Sequence, residues 1–129
     1  MKQPRLLLID DEPALGDFVA NVARDCGFDP VLTSTNEQFR SALLAELPDM
    51  IALDLGMPGM DGVELLRFLA EAECRAPVLI ISGFDRRVLE SAFRLGEALG
   101  LKMAGPLEKP VRAEELEQLL TQMRPSLAQ

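Results

Sequence analysis

Short apolar runs alternate along this chain with stretches in which apolar residues recur at three- and four-residue steps. The runs read as buried strands: Arg5 to Ile9, Val31 to Thr33, Met50 to Asp54, Pro77 to Ile81 and Lys102 to Leu107. The stepped segments read as helices. From Pro13, the residues Leu15, Phe18, Val19, Val22, Ala23 and Cys26 share one face, with Pro13 suited to the first turn and Gly27 to the stop. Thr35 followed by Gln38 forms a capping box for a helix that carries Phe39, Leu43, Leu44 and Leu47 and ends at Pro48. Asp61 caps a third helix with Val63, Leu66, Leu69 and Ala70. A fourth runs from about Asp85 to Leu99, where Gly100 stops it. The last spans Ala113 to Met123 with Leu116, Leu119, Leu120 and Met123 inward. Residues 1–124 thus make one domain, and the aperiodic residues 125–129 a tail or the start of a linker.

Five strand–helix units with right-handed crossovers give an α/β three-layer sandwich around a doubly wound, five-stranded parallel sheet. Two helices on one face and three on the other fit the flavodoxin-like strand order 2-1-3-4-5, whose switch point lies between strands one and three. Pro106 in the fifth strand marks an edge, since proline cannot donate to a ladder on both sides.

Ligands of such sheets bind beyond the carboxyl ends of the strands. There the sequence places Asp10 and Asp11 after Leu6–Ile9, Asp54 after Met50–Leu53, Ser82 after Val78–Ile81, and Lys109 before Pro110. Three carboxylates, a hydroxyl and an ammonium suit a divalent cation and a phosphoryl group. Singly these residues have plainer explanations. Asp10 and Asp11 would serve equally as caps for the helix at Pro13, Ser82 as a loop residue and Lys109 as a solvated lysine. Asp54 is harder to dismiss, because an unpartnered carboxylate directly after a buried strand is costly. Met57-Pro58 and Gly62 read as turn geometry.

Composition narrows the function. The 129 residues are 48% hydrophobic and 26% charged, the balance of an ordinary globular domain with a real core. No apolar run approaches the ~20 residues needed to span a bilayer, and the four apolar residues after Arg5 are too few for a signal-peptide core, so a cytoplasmic location is expected. Cys26 and Cys74 stand far apart without a CxxC or histidine neighbour, which indicates neither zinc nor redox chemistry. A net charge of −8 argues against nucleic-acid binding by this domain. The chain has no histidine, so any phosphohistidine must belong to another molecule.

The segments Leu8-Ile9-Asp10-Asp11-Glu12, Asp54-Leu55-Gly56-Met57-Pro58-Gly59-Met60-Asp61-Gly62, Ile81-Ser82-Gly83 and Lys109-Pro110 together resemble the receiver (CheY-like) domain of two-component response regulators. Each segment alone is weak; four in order at strand ends, covering nearly the whole chain, are specific. The resemblance implies a phosphorylation-controlled switch, not a metabolic enzyme, that catalyses only its own phosphoryl transfer and dephosphorylation. Its donor would be a histidine kinase or a histidine phosphotransfer protein. Asp54 would be the acceptor, Lys109 and Ser82 donors to phosphoryl oxygens, and Gly83 a space for the phosphoryl group. Mg²⁺, which prefers hard oxygens and keeps several waters, would be held by Asp11, Asp54 and the Gly56 carbonyl, with Asp10 acting mainly through water. Lys109-Pro110 would be cis, as is usual in the family.

Some features depart from the pattern. Receivers commonly carry Tyr or Phe three residues before the lysine, where Pro106 stands here, so Phe84 or Phe93 would have to repack instead. The 27 positions from Ser82 to Lys109 are also more than usual. The stretch Leu99 to Pro110 resembles receivers joined to EAL-type cyclic-di-GMP phosphodiesterase domains. A partner, an output domain in cis or a second copy would read the face of the fourth helix, fifth strand and fifth helix. Two other classes compete. One is a degenerate receiver used only for docking or dimerisation. The other is a haloacid-dehalogenase-type hydrolase, which needs a second Asp two residues after its nucleophile, where Gly56 stands.

Overall fold

Backbone and burial are described for residues 3–10, 12–54, 62–83 and 86–127 of a computed structural model, with backbone alone at 62 and 125–127. Five strands, β1 (Arg5–Ile9), β2 (Asp29–Thr33), β3 (Met50–Asp54), β4 (Val78–Ser82) and β5 (Met103–Glu108), alternate with five helices. These are α1 (Pro13–Asp25), α2 (Asn36–Ala45), α3 (Gly62–Glu71), α4 (Arg86–Ala98) and α5 (Ala113–Leu127). All strand pairs are parallel and the order is β2-β1-β3-β4-β5, as the pattern predicts.

The central strands are apolar without alternation because both faces are covered. β3 and β4 are buried at every residue. On one face Leu6, Leu8, Met50, Ala52, Leu79 and Ile81 pack with Val19 and Ala23 of α1 and Leu116 and Leu120 of α5. On the other, Leu7, Ile9, Ile51 and Leu53 meet Phe39 and Leu43 of α2 and Leu65, Leu66 and Leu69 of α3. A smaller cluster of Ile80 and Leu89, with Phe93 and Met103 against it, seats α4. Each large apolar side chain removed from water here contributes roughly 1.5–3 kcal/mol by area, before the entropy of ordering it.

Element ends differ from the sequence pattern for local reasons. β2 begins at Asp29, whose N–H donates to the Pro4 carbonyl (2.8 Å), and it accommodates Pro30 because β2 is an edge. α2 stops at Ala45, three residues before Pro48, and leaves Leu44 and Leu47 72% and 71% exposed. Its capping box is shifted: Gln38 N–H donates to Thr35 Oγ1 (3.1 Å), while Gln38 Oε1 accepts from the Ser34 N–H (2.9 Å) rather than from Thr35. The backbone of α5 continues to Leu127, through Pro125.

β5 is the other edge, as Pro106 suggests, and it carries a bulge. Leu79 faces Ala104 and Ile81 faces Leu107, so two steps on β4 match three on β5. Gly105 supplies the left-handed φ of +89° in that bulge; a Cβ there would lie 2.8 Å from Leu79 Cδ1. The Gly105–Pro106 and Lys109–Pro110 peptides are both cis.

Candidate functional site

The switch point between β1 and β3 holds three buried polar side chains at strand ends: Asp10 (6% exposed), Asp54 (1%) and Ser82 (0%). Asp54 is the last residue of β3 and Ser82 the last of β4, so the hydrogen-bonded ladder fixes both backbones. Lys109 directly follows β5 and its N–H donates to the Ser82 carbonyl at 2.9 Å. Its side chain reaches back over the sheet edge to place Nζ 3.1 Å from Asp54 Oδ2. The sequence thus brings Asp10, Asp54, Ser82 and Lys109 to one edge. Asp11 and Gly56, expected as cation ligands, lie outside the described residues, as do Phe84, Asp85, Asp61 and the Met57-Pro58 turn.

Asp10 does not cap α1. Its Oδ1 accepts the N–H of Glu12 (2.9 Å), an Asx-type bond that shapes the turn out of β1. Glu12 is itself the N-cap residue of α1 and makes no side-chain cap bond. Its carboxylate instead accepts from Lys109 Nζ at 3.1 Å. The single ammonium therefore stands between Asp54 on its buried side and Glu12 on its solvent side. This pairing of Glu12 escaped the sequence pattern. The available signal was a poor capping residue at a cap position, where Ser, Thr, Asp or Asn would be expected.

Burial raises the Asp10 carboxyl from 3.8 to about 6; the Glu12 N–H opposes this, and the neighbouring Asp54 adds to it by charge and by hydrogen bonding. Near pH 6 the site is thus poised to exchange a proton for another positive charge. For Lys109, burial is the largest influence and disfavours the ammonium. Hydrogen bonds to Glu12 and Asp54 outweigh it, and the charges of Asp54 and Asp10 reinforce them, so its pKa is raised. Lys109 is a permanent cation in this site.

Asp10, Glu12 and Asp54 each bring a carboxylate oxygen within 4.8 Å of the others. Oxygen-only donors with excess negative charge fit a hard divalent cation such as Mg²⁺ better than a soft metal. Gly83 lies beside the lysine: a Cβ there would meet Lys109 Cδ at 3.5 Å, an ordinary contact.

Residues 6–121 match the family model described as "Response regulator receiver domain". The chain belongs to that family. It is a receiver domain of two-component response regulators, a signalling module. It is 30% identical over 118 residues to the positive alginate biosynthesis regulatory protein of Pseudomonas aeruginosa, covering 89% of this chain and 45% of that protein. It is 32% identical over 114 residues to the C4-dicarboxylate transport transcriptional regulatory protein DctD of the same organism, covering 88% of this chain and 24% of DctD. The receiver thus spans less than half the length of both curated relatives. Among solved structures, a response regulator from Colwellia psychrerythraea superposes with a TM-score of 0.83 at 31% identity, covering 97% of this chain and 99% of that one. No helix among the described residues of the receiver is long and apolar enough to cross a membrane.

Proposed function

We propose that this receiver takes a phosphoryl group from a phosphohistidine onto Asp54 and thereby switches the behaviour of a partner or an attached output domain. The observation that carries this reading is the contact of Lys109 Nζ with Asp54 Oδ2 at 3.1 Å, beside the buried Ser82 and Asp10. Asp54 attacks phosphorus as a new P–O bond forms and the P–N bond of the donor breaks, the imidazole nitrogen keeping the electron pair. The incoming phosphoryl oxygens inherit the ammonium of Lys109 and the hydroxyl of Ser82 as donors. Asp10, Asp11, Asp54 and the Gly56 carbonyl would hold Mg²⁺, Asp10 mainly through water. When bound, Mg²⁺ offsets the charge gathered at the transferring phosphoryl group. Asp10 must give up its proton for this, and its raised pKa holds that proton until the pH passes about 6.

The donor is a histidine kinase or histidine phosphotransfer protein in the cytoplasm. An EAL-type phosphodiesterase remains the output suggested by the segment before Lys109. The receiver unit lies within residues 1–124, and the backbone of α5 carries three residues beyond it, to Leu127. A docking module with a vestigial site would have no use for a buried carboxylate paired with a lysine, which favours the active switch.

Acetyl phosphate with Mg²⁺ should add one acid-labile phosphoryl group to the wild type and none to Asp54→Asn. Equal labelling of that variant would move the acceptor elsewhere.

A further inference from the structure

The Glu12 carboxylate lies in the acidic cluster but is given no step in the phosphoryl transfer above, yet it sits on the same ammonium at the same distance as Asp54, 3.1 Å in each case. The two partners differ in environment. Asp54 is 1% exposed and locked at the end of β3, whereas the Glu12 side chain is 63% exposed. Glu12 is also tied to the site through its backbone, because its N–H holds Asp10 Oδ1. Its carboxylate therefore cannot drift far from the reacting centre while the turn out of β1 is intact.

We propose that Glu12 is a counter-ion gate on Lys109. It holds the ammonium while Asp54 is unmodified, and it has to release that ammonium and turn to solvent when Asp54 carries a phosphoryl group. Two arguments support this. A dianionic phosphoryl group on Asp54 needs Lys109 as a donor, and a second carboxylate 3.1 Å from the same nitrogen would compete for its protons. The phosphoryl oxygens and the Glu12 carboxylate would then be like charges around one cation, which disfavours the modified state. Exposure lets Glu12 leave without burying a charge, so the gate opens at modest cost. Glu12 is thus a positioning residue that sets how readily the receiver stays phosphorylated. This inference rests on the assignment of Asp54 and Lys109 above.

Beryllofluoride, a stable phosphoryl mimic, tests it. Its affinity would be measured at saturating Mg²⁺ and pH 7.5 for the wild type, Glu12→Gln and Glu12→Asp, with Mg²⁺ affinity measured separately. Removing an exposed ion pair should tighten beryllofluoride binding by about two- to fivefold in Glu12→Gln. Glu12→Asp keeps the charge but shortens the reach, so it should tighten binding as Gln does. Unchanged or weaker binding by Glu12→Gln would overturn the gate. So would wild-type behaviour of Glu12→Asp, because the effect would then follow net charge rather than contact with Lys109. If the wild type itself bound no beryllofluoride with Mg²⁺, the assignment of Asp54 would fail instead.

Discussion

The backbone N–H of Lys109 donates to the carbonyl of Ser82 at 2.9 Å, so the ammonium and the hydroxyl of the site hang from two strand ends joined by one hydrogen bond. One residue earlier, Glu108 lies opposite Ser82 in the ladder and pairs with Arg86 of the first turn of α4 at 2.9 Å. Any ligand that draws Ser82 and Lys109 together also acts on the strand end to which α4 is clasped. The same geometry that builds the site thus couples it to the α4 side of the sheet. Both groups of the Arg86–Glu108 pair are solvated, so its value is as a direction of coupling rather than as stability.

Stability of the metal-free domain should fall as pH rises from about 4 to above 6. Asp10 has a folded pKa of about 6 against an ordinary 3.8, so the folded state holds its proton more tightly. That contribution is complete below the ordinary value and is lost as pH passes through the folded one, up to about 3 kcal/mol. Urea unfolding without Mg²⁺ should show this slope in the wild type but not in Asp10→Asn. Mg²⁺ affinity should run the opposite way, increasing with pH through the same range as the proton leaves. Parallel wild-type and Asp10→Asn profiles would refute the role of Asp10.

Lys109→Met should destabilise the Mg²⁺-free domain by about 1–3 kcal/mol at pH 7.5, because it leaves the buried Asp54 without its cation. The Lys109 charge also lowers the Asp10 pKa, so its loss should push that carboxyl further up. The penalty should therefore shrink at pH 5 or on adding Mg²⁺, both of which return positive charge to the site. A loss of stability independent of pH and Mg²⁺ would point to the packing of the lysine stem instead.

Much of this architecture is legible in the sequence because burial on both faces leaves short uninterrupted apolar runs, such as Met50–Leu53 and Val78–Ile81, that recur between helical segments as strands of a parallel sheet do. The polar residue after each run then falls at the switch point by topology alone, which is how Asp10, Asp54 and Ser82 are found. The limits of legibility are equally physical. The early start of β2 depends on Asp29 meeting Pro4, a contact between distant segments that no local pattern carries. Leu44 and Leu47 continue the helical spacing but lie outside the core, since apolar residues need not be buried. The Glu12–Lys109 pair joins residues 97 positions apart, and neither partner's local sequence announces the other.

Glu73→Gly should stabilise the domain. Glu73 follows α3 with φ of +56°, the left-handed conformation that closes a helix, with its N–H on the Ala70 carbonyl and that of Cys74 on the Leu69 carbonyl. Glycine takes this conformation without the Cβ penalty, though it also loosens the unfolded chain, so the net gain should be about 0.5–1 kcal/mol. Thermal unfolding at neutral pH measures it, and a lower midpoint would show that the Glu73 side chain contributes more than its backbone costs.

The output of the switch should appear on α4 and β5 rather than through an aromatic relay. Pro106 occupies the position three before Lys109, inside the β5 bulge, and has no side-chain rotamers to report the state of the site. Nearby side chains with rotamers to change are instead offered by Phe93 and Met103, packed against Ile80 and Leu89. Met103 also lies over Gly96 of α4, where a Cβ would crowd its Sδ and Cε, so strand and helix meet through one adaptable thioether. Drawing Ser82 and Lys109 toward a phosphoryl mimic should shift β5 and, through Met103 and the Arg86–Glu108 pair, α4. Amide exchange with and without beryllofluoride would then differ across residues 86–108 as well as at Asp10 and Asp54. Met103→Leu should reduce the change in α4 while leaving that at Asp54 intact. Changes confined to the strand ends around Asp10 and Asp54 would exclude this face as the output surface.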